Sequence, residues 1–368
     1  MSKQEKRIRN DLPEVDHFVS QYTIKKPLYD EFTSKLVELL KALLRIRSID
    51  TQLIESRTKD TGSFREKISR SSKRYVDPIR EVTDLSGIRI IVYYEEDLDI
   101  VCQLIENEFE IDRSNSIDKR TVLRPEEFGY QSIHFVVKLS RSRCDLLEWH
   151  HLAGLQAEIQ VRTVLQHAWA AISHKLQYKH EEDVPQVLRR RLFRLSALLE
   201  LADEEFMSLR NRTAALTQEI EQQLSEGETN LEINLLTIEE FLRTSPEVKQ
   251  LVAYAKKSGF SFKEYESEGA GYDPSYIVTI CKKVGLINIS SLKNVLQESL
   301  GWSQAYLQKQ RKASNKEWEV SPGFICILIL IGRFPDQFEV GDFNNLDWHN
   351  EIALRVLSVA NAKGHEMP

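Results

Sequence analysis

The chain has 368 residues, 41% hydrophobic and 29% charged, with a net charge of −6. That is room for about two domains of ordinary globular composition at roughly 150 residues each, and the acidic balance excludes a uniformly basic nucleic-acid coat. The longest uncharged apolar stretch, Phe324 to Gly332, is far shorter than the roughly 20 residues of a membrane-spanning helix.

In chain order, the N-terminus Met-Ser-Lys-Gln-Glu-Lys-Arg is polar and precedes no apolar signal core. The expectation is therefore a cytoplasmic protein with no membrane partner. Leu28, Phe32, Leu36, Leu40, Leu43, Leu44 and Leu53 recur at near-helical spacing and predict one long amphipathic helix over residues 28–55, leading into Arg57. Thr61-Gly62-Ser63 breaks it and restarts a helix, with Ser63 as N-cap and Glu66 completing a capping box. Residues 57–80 hold eight Lys or Arg against three acids, whereas residues 201–240 hold ten acids and two Arg. A local cationic patch suited to phosphates is thus offset elsewhere.

Ile88 to Tyr94 is β-branched and aromatic and predicts a strand, followed by a helix over 97–108. Tyr130 to Leu139 and Leu155 to Val161 predict two more strands, and Val164 to Tyr178 a helix. Strands alternating with helices around one core imply an α/β fold, a mixed sheet flanked by helices. A long helix from Pro185 to about Leu224 leaves the sheet, and the acidic Ser225-Glu-Gly-Glu-Thr229 marks the best boundary. The expected domains are residues 1–224 and a mainly helical region over 231–368, in which Phe324 to Ile331 reads as a buried strand. Cys102, Cys144, Cys281 and Cys326 are scattered without paired zinc spacing and read as incidental thiols of a reducing compartment.

The chemically loaded segments are Arg57-Thr-Lys59, Asp84-Leu-Ser-Gly-Ile-Arg89, Phe128-Gly-Tyr-Gln-Ser-Ile-His134, Ala157-Glu-Ile-Gln-Val-Arg-Thr163 and His167-Ala-Trp-Ala-Ala-Ile-Ser-His174. Asp84 and Glu158 sit at the starts of apolar runs, where carboxylates from adjacent strands converge on one metal. Arg57, Lys59 and Lys67 offer a fork and two point charges to phosphates. Tyr130 follows the permissive Gly129 and suits stacking on a purine. His167 and His174, seven apart on a helix, fit packing better than metal binding because no further ligand is evident.

In this order the segments resemble the synthetase domain of the RelA/SpoT family, over roughly residues 25–200. The resemblance implies a nucleotidyltransferase-like synthetase domain that transfers pyrophosphate from ATP to a ribose 3′-hydroxyl and releases AMP. It implies Asp84 and Glu158 as catalytic Mg²⁺ ligands, with Glu158 also activating the hydroxyl. Arg57, Lys59, Lys67 and Arg89 would hold the ATP phosphates, Tyr130 would stack on the acceptor base, and Gln131, Ser132 and His134 would shape or touch the acceptor site. Gln160 and Arg162 match the family's strand pattern and read equally well as structural.

One departure bears on the acceptor. The family's alarmone-making members carry a basic approach to Gly-Tyr, whereas this chain reads Arg124-Pro-Glu-Glu-Phe-Gly129. GDP or GTP remains the first expectation, giving a guanosine alarmone. A tRNA 3′ end, as in the toxin relatives, is the second, with Lys25, Lys26 and the 65–74 patch holding its backbone. An idle nucleotide-sensing module is the reading from another class. No His-Asp dipeptide of the family's hydrolase domain occurs, and residues 231–368 suggest a regulatory or partner-binding role, with a protein regulator as candidate partner.

Overall fold

The computed structural model describes residues 12–70, 75–118, 132–176, 185–262, 274–314, 319–346 and 348–364. Its contacts divide the chain into two units, residues 1–210 and 211–368. No helix among the described residues is long and apolar enough to cross a membrane.

The first unit runs α1 (Leu12–Ile46), β1 (Thr51–Thr58), α2 (Thr61–Ser69), α3 (Pro78–Glu81), β2 (Ser86–Val92), α4 (Glu95–Glu108), β3 (Phe109–Ile111), β4 (Ile117–Asp118), β5 (Ile133–Leu139), α5 (Arg141–Cys144), α6 (Leu147–His150), β6 (Ala157–Thr163) and α7 (Val164–Leu176). The sheet order is β1-β2-β6-β5-β3, with β4 paired to β5. Among the described residues only β2 and β6 run parallel within this sheet, so it is mixed and flanked by helices, as the sequence implied.

Period-two alternation sorts the sheet into two faces. Ile88, Ile90, Ile133, Phe135, Val137, Ile159 and Val161 turn one way and pack against Phe32, Leu36, Leu40 and Leu44 of α1 and Leu98, Val101 and Ile105 of α4. Each buried side chain of this size contributes about 1.5–3 kcal/mol, so this face holds the sheet, while the other carries the polar residues together with buried Ile91 and Val136. A second cluster, with the Tyr22 and Phe64 rings 4.5 Å apart, seats α2 against α1.

Two expectations for this unit are corrected. The long helix begins at Leu12 and stops at Ile46 rather than running to 55. Ser48 sits in the left-handed region at φ 53°, and the Ile49 amide donates to the Leu44 carbonyl, ending the helix before Leu53. Residues 51–58 instead form an edge strand. The N-cap of α2 is Asp60, which accepts from the Ser63 amide at 2.8 Å; two capping-type residues three apart made the sequence ambiguous.

Helix α8 (Gln186–Ser225) crosses the division between the units. Arg210, near its middle, pairs with Asp97 at 3.0 Å and lies over the Tyr94 ring. The second unit comprises α9 (Leu235–Thr244), α10 (Pro246–Lys257), α11 (Pro274–Lys283), α12 (Ile289–Lys312), α13 (Pro322–Arg333) and α14 (Asn350–Gly364), with β7 (Ser261–Phe262) and β8 (Glu319–Val320) as a short parallel pair. It is mainly helical, but its expected buried strand is the helix α13. Ser321 caps it by accepting from the Phe324 amide, Pro322 occupies the first turn, and Ile325 to Ile331 are buried all round. An uninterrupted apolar run suits a central helix as well as a strand. Gly332 lets α13 approach α12, since a Cβ there would lie 2.8 Å from the Tyr306 ring.

Candidate active site

The polar face of the sheet carries the site. Register sets Arg57 beside Gly87 and Glu55 beside Arg89 across β1 and β2, then Gly87 beside Glu158 and Arg89 beside Gln160 across β2 and β6. His134 of β5 stands beside Gln160. Glu55, Arg57, Asp84, Gly87, Arg89, Glu158 and Gln160, with Ser56 and Ile88, line a cleft of about 400 Å³. Gly87 contributes no side chain at its floor, which keeps the space between Arg57 and Glu158 open.

Asp84 lies in the turn before β2 and is gripped by two ammonium groups. Lys59 Nζ is 2.8 Å from Oδ2, and Lys67 Nζ of α2 is 2.8 Å from Oδ1. Lys59 is buried and held at both ends of its backbone, its amide donating to Leu85 at 2.8 Å and its carbonyl accepting from Tyr22 Oη at 2.6 Å. Burial raises the Asp84 pKa, but the hydrogen bonds and charges of Lys59 and Lys67 outweigh it and hold the carboxyl below its ordinary value.

Glu158 sits between two donors. Gln160 Nε2 donates to Oε1 at 2.6 Å, and His134 Nδ1 lies 3.2 Å from the same oxygen. His134 Nε2 is 2.7 Å from Ser132 Oγ. A proton on Nδ1 leaves Nε2 to accept from the Ser132 hydroxyl, so one neutral tautomer satisfies both contacts. Burial raises the Glu158 pKa, yet His134 and Gln160 bring it below the usual carboxylate value, against the opposing charge of Asp84. Asp84 and Glu158 line the same cleft. Their oxygens are hard donors, and a pair of carboxylates completed by substrate phosphates is the usual protein share of a magnesium site.

Of the residues singled out from sequence, Arg57, Arg89, Asp84 and Glu158 meet in the cleft. Lys59 and Lys67 meet at Asp84, and Ser132 and His134 reach the site through Glu158. Tyr130, Gln131 and the segment Arg124 to Gly129 lie outside the described residues, as do Lys73 and Arg74 of the basic patch. Glu55 was missed by the sequence reading: its Oε2 lies 3.3 Å from Arg89 Nη1, and its signal was the Glu55, Arg57 alternation of a strand read as helix. Gln160 also accepts from Arg162 Nη2 at 2.8 Å and from Arg89 Nε at 3.4 Å. Burial, then the nearby Arg89, lowers the pKa of Arg162.

Residues 56–183 match the sequence profile of the region found in RelA / SpoT proteins. GTP pyrophosphokinase YjbM of Bacillus subtilis (strain 168) is 31% identical over 162 residues, covering 43% of this chain and 72% of that protein. GTP pyrophosphokinase YwaC of the same organism is 26% identical over 129 residues, 35% of this chain and 58% of that protein. Among solved structures, small alarmone synthetase 1 from Bacillus subtilis aligns with a TM-score of 0.43 at 24% identity, covering 53% of this chain and 99% of that one. With the profile spanning Arg57, Asp84 and Glu158, and with YjbM matched over most of its length, this chain belongs to the RelA/SpoT family.

Proposed function

We propose that this protein is an ATP-dependent pyrophosphokinase that transfers the β,γ-pyrophosphate of ATP to the 3′-hydroxyl of GDP or GTP, releasing AMP. The observation that carries the reading is one cleft in which Asp84, clamped by two lysines, and Glu158, oriented by Gln160 and His134, face Arg57 and Arg89. The kinship to two GTP pyrophosphokinases supports it.

Phosphoryl-type transfer asks a protein for positioning and charge neutralisation more than for covalent chemistry. Arg57, exposed on the edge strand, and Arg89 suit the triphosphate oxygens. Asp84 and Glu158 would hold Mg²⁺, which when bound neutralises phosphate charge as the β-phosphorus is attacked. The acceptor's 3′-oxygen bonds to the β-phosphorus, the bond from that phosphorus to the α,β-bridging oxygen breaks, and AMP departs with the electron pair. Glu158 takes the hydroxyl proton. Its lowered pKa keeps it ionised at neutral pH, and both donors described here land on Oε1, leaving Oε2 for the hydroxyl.

A second acceptor, a tRNA 3′ end, is supported by the sequence Arg124-Pro-Glu-Glu-Phe-Gly129, whose two carboxylates just before Gly129-Tyr130 would disfavour the 5′-phosphates of a free guanosine nucleotide. The test is incubation with γ-labelled ATP and GDP, GTP or total tRNA in separate reactions, following label and AMP. Transfer to GDP or GTP is expected, with Glu158→Gln losing roughly 100-fold or more in turnover. Label on tRNA alone would replace the acceptor, and ATP binding without AMP release would mark a sensing module.

A further inference from the structure

We propose that Arg162 is a positioning residue for the transfer, acting on Glu158 through the carboxamide of Gln160. The inference rests on the assignment of Glu158 as the group that activates the hydroxyl. Arg162 does not line the cleft; Gln160 and Glu158 do. All three side chains sit at alternate positions of β6, on its polar face.

The chemistry of the contacts fixes their direction. A guanidinium has donors and no acceptor, so the Gln160 atom facing Arg162 Nη2 at 2.8 Å and Arg89 Nε at 3.4 Å must be the carboxamide oxygen. The NH₂ end then faces Glu158 and donates to Oε1 at 2.6 Å. Without Arg162, only the longer contact from Arg89 Nε at 3.4 Å faces that oxygen, and the amide can turn its oxygen towards the carboxylate and repel it. Arg162 is costly to keep here: its Nε is buried and has no hydrogen-bond partner among the described residues, and an unmatched buried donor is unfavourable. An apolar side chain would fill the same space without that cost, but could not set the amide.

The test is a double-mutant cycle in the full chain, with Arg162→Met, Gln160→Leu and the double variant, alongside Arg162→Lys. Each is assayed for kcat, for KM towards ATP and acceptor, and for thermal stability. Arg162→Met should lower kcat by roughly 10- to 100-fold, the scale of a misplaced catalytic group, with KM for ATP within about 2-fold. In the Gln160→Leu background the same change should cost nothing more, because the carboxamide through which it acts is gone. Arg162→Lys, which still donates to the oxygen, should recover much of kcat.

Additive losses across the cycle, a raised KM at unchanged kcat, or wild-type kcat in Arg162→Met would each overturn the role. If Arg162→Met does not fold, Gln160→Glu serves. It keeps an acceptor for both guanidinium groups, loses the donor to Glu158, and should lose kcat likewise; wild-type kcat there also overturns the role. If the wild type transfers pyrophosphate to no acceptor, the proposed function fails instead. The relay is then judged from crystal structures of the wild type and Arg162→Met: a Gln160 amide turned away from Glu158 in the variant supports it, and an unmoved amide overturns it.

Discussion

Replacing Asp84 by Asn should damage the protein in two separable ways, and the geometry gives the size of the first. Asp84 accepts from two ammonium groups, one on each oxygen. Asparagine offers one oxygen and one donor, so only one lysine keeps a partner. The Lys67 side chain is 24% exposed and can turn to water, but that of Lys59 is 8% exposed and cannot. Even if the amide oxygen serves Lys59, it does so without the negative charge. A charge-assisted hydrogen bond contributes about 1.5–3 kcal/mol, and breaking a buried pair costs about 3–5 kcal/mol. With Lys67 escaping, a loss of roughly 2–4 kcal/mol is expected, or about 5 to 15 °C in the unfolding midpoint for a unit of this size. Lys59→Met removes the stranded charge, so Asp84→Asn with Lys59→Met should be more stable than Asp84→Asn alone. Transfer should remain lost in both. Thermal unfolding by circular dichroism, run beside the labelled-ATP assay, measures both effects. An Asp84→Asn midpoint within about 1 °C of wild type, or a double variant no more stable than the single, would refute the buried clamp.

The acid limb of stability follows from the same carboxylates. Asp84 and Glu158 have folded pKa values below their ordinary 3.8 and 4.5, so their contribution is complete above those values and is lost as pH falls through the lower folded ones. Denaturant midpoints should therefore hold down to about pH 5 and drop below pH 4; Asp84→Asn should flatten that drop, and an unchanged slope would count against the assignment. Tyr130→Ala should cost roughly 1–3 kcal/mol in acceptor affinity if the ring stacks on a base, with Tyr130→Phe mild, as read by calorimetry. Replacing Glu126 and Glu127 with Lys should improve use of GDP or GTP, since each carboxylate near a phosphate is repulsive by about 1 kcal/mol or more, without matching benefit to a tRNA 3′ end. No gain in KM for either guanosine nucleotide would mean that Arg124 or another cation already makes the contact.

The strand β6 was legible because its alternation is unambiguous: apolar Ile159 and Val161 between polar Glu158, Gln160 and Arg162. The edge strand β1 was not. It has one neighbouring strand, so little of it is buried, and its Leu53 happens to continue the helical spacing of α1. Misreading β1 hid Glu55, whose partner Arg89 is 34 residues away. In α13 the pattern failed for the opposite reason: with every side buried, neither period survives, and only Ser321-Pro322 ahead of the run signalled a helix start. The basic patch was read correctly as charge and incompletely as chemistry. Counting lysines cannot reveal that Lys59 and Lys67 neutralise Asp84, because that contact depends on β1 pairing with β2 and on α2 folding back over the turn.

That pairing changes what the cationic patch can do. Two of its lysines are held by a carboxylate, and the arginines lining the cleft are Arg57, exposed on β1, and Arg89, tied on one side to Glu55 and on the other to Gln160. Asp84 and Glu158 are the residues that would hold a metal, which would supply further positive charge to the phosphates. The clamp sets two ammonium groups against the one Asp84 carboxylate. In the sequence, residues 124–129 hold one arginine and two glutamates. Under the proposed transfer, those two carboxylates would disfavour a guanosine polyphosphate more than an RNA 3′ end, by about 1 kcal/mol or more for each one near a phosphate.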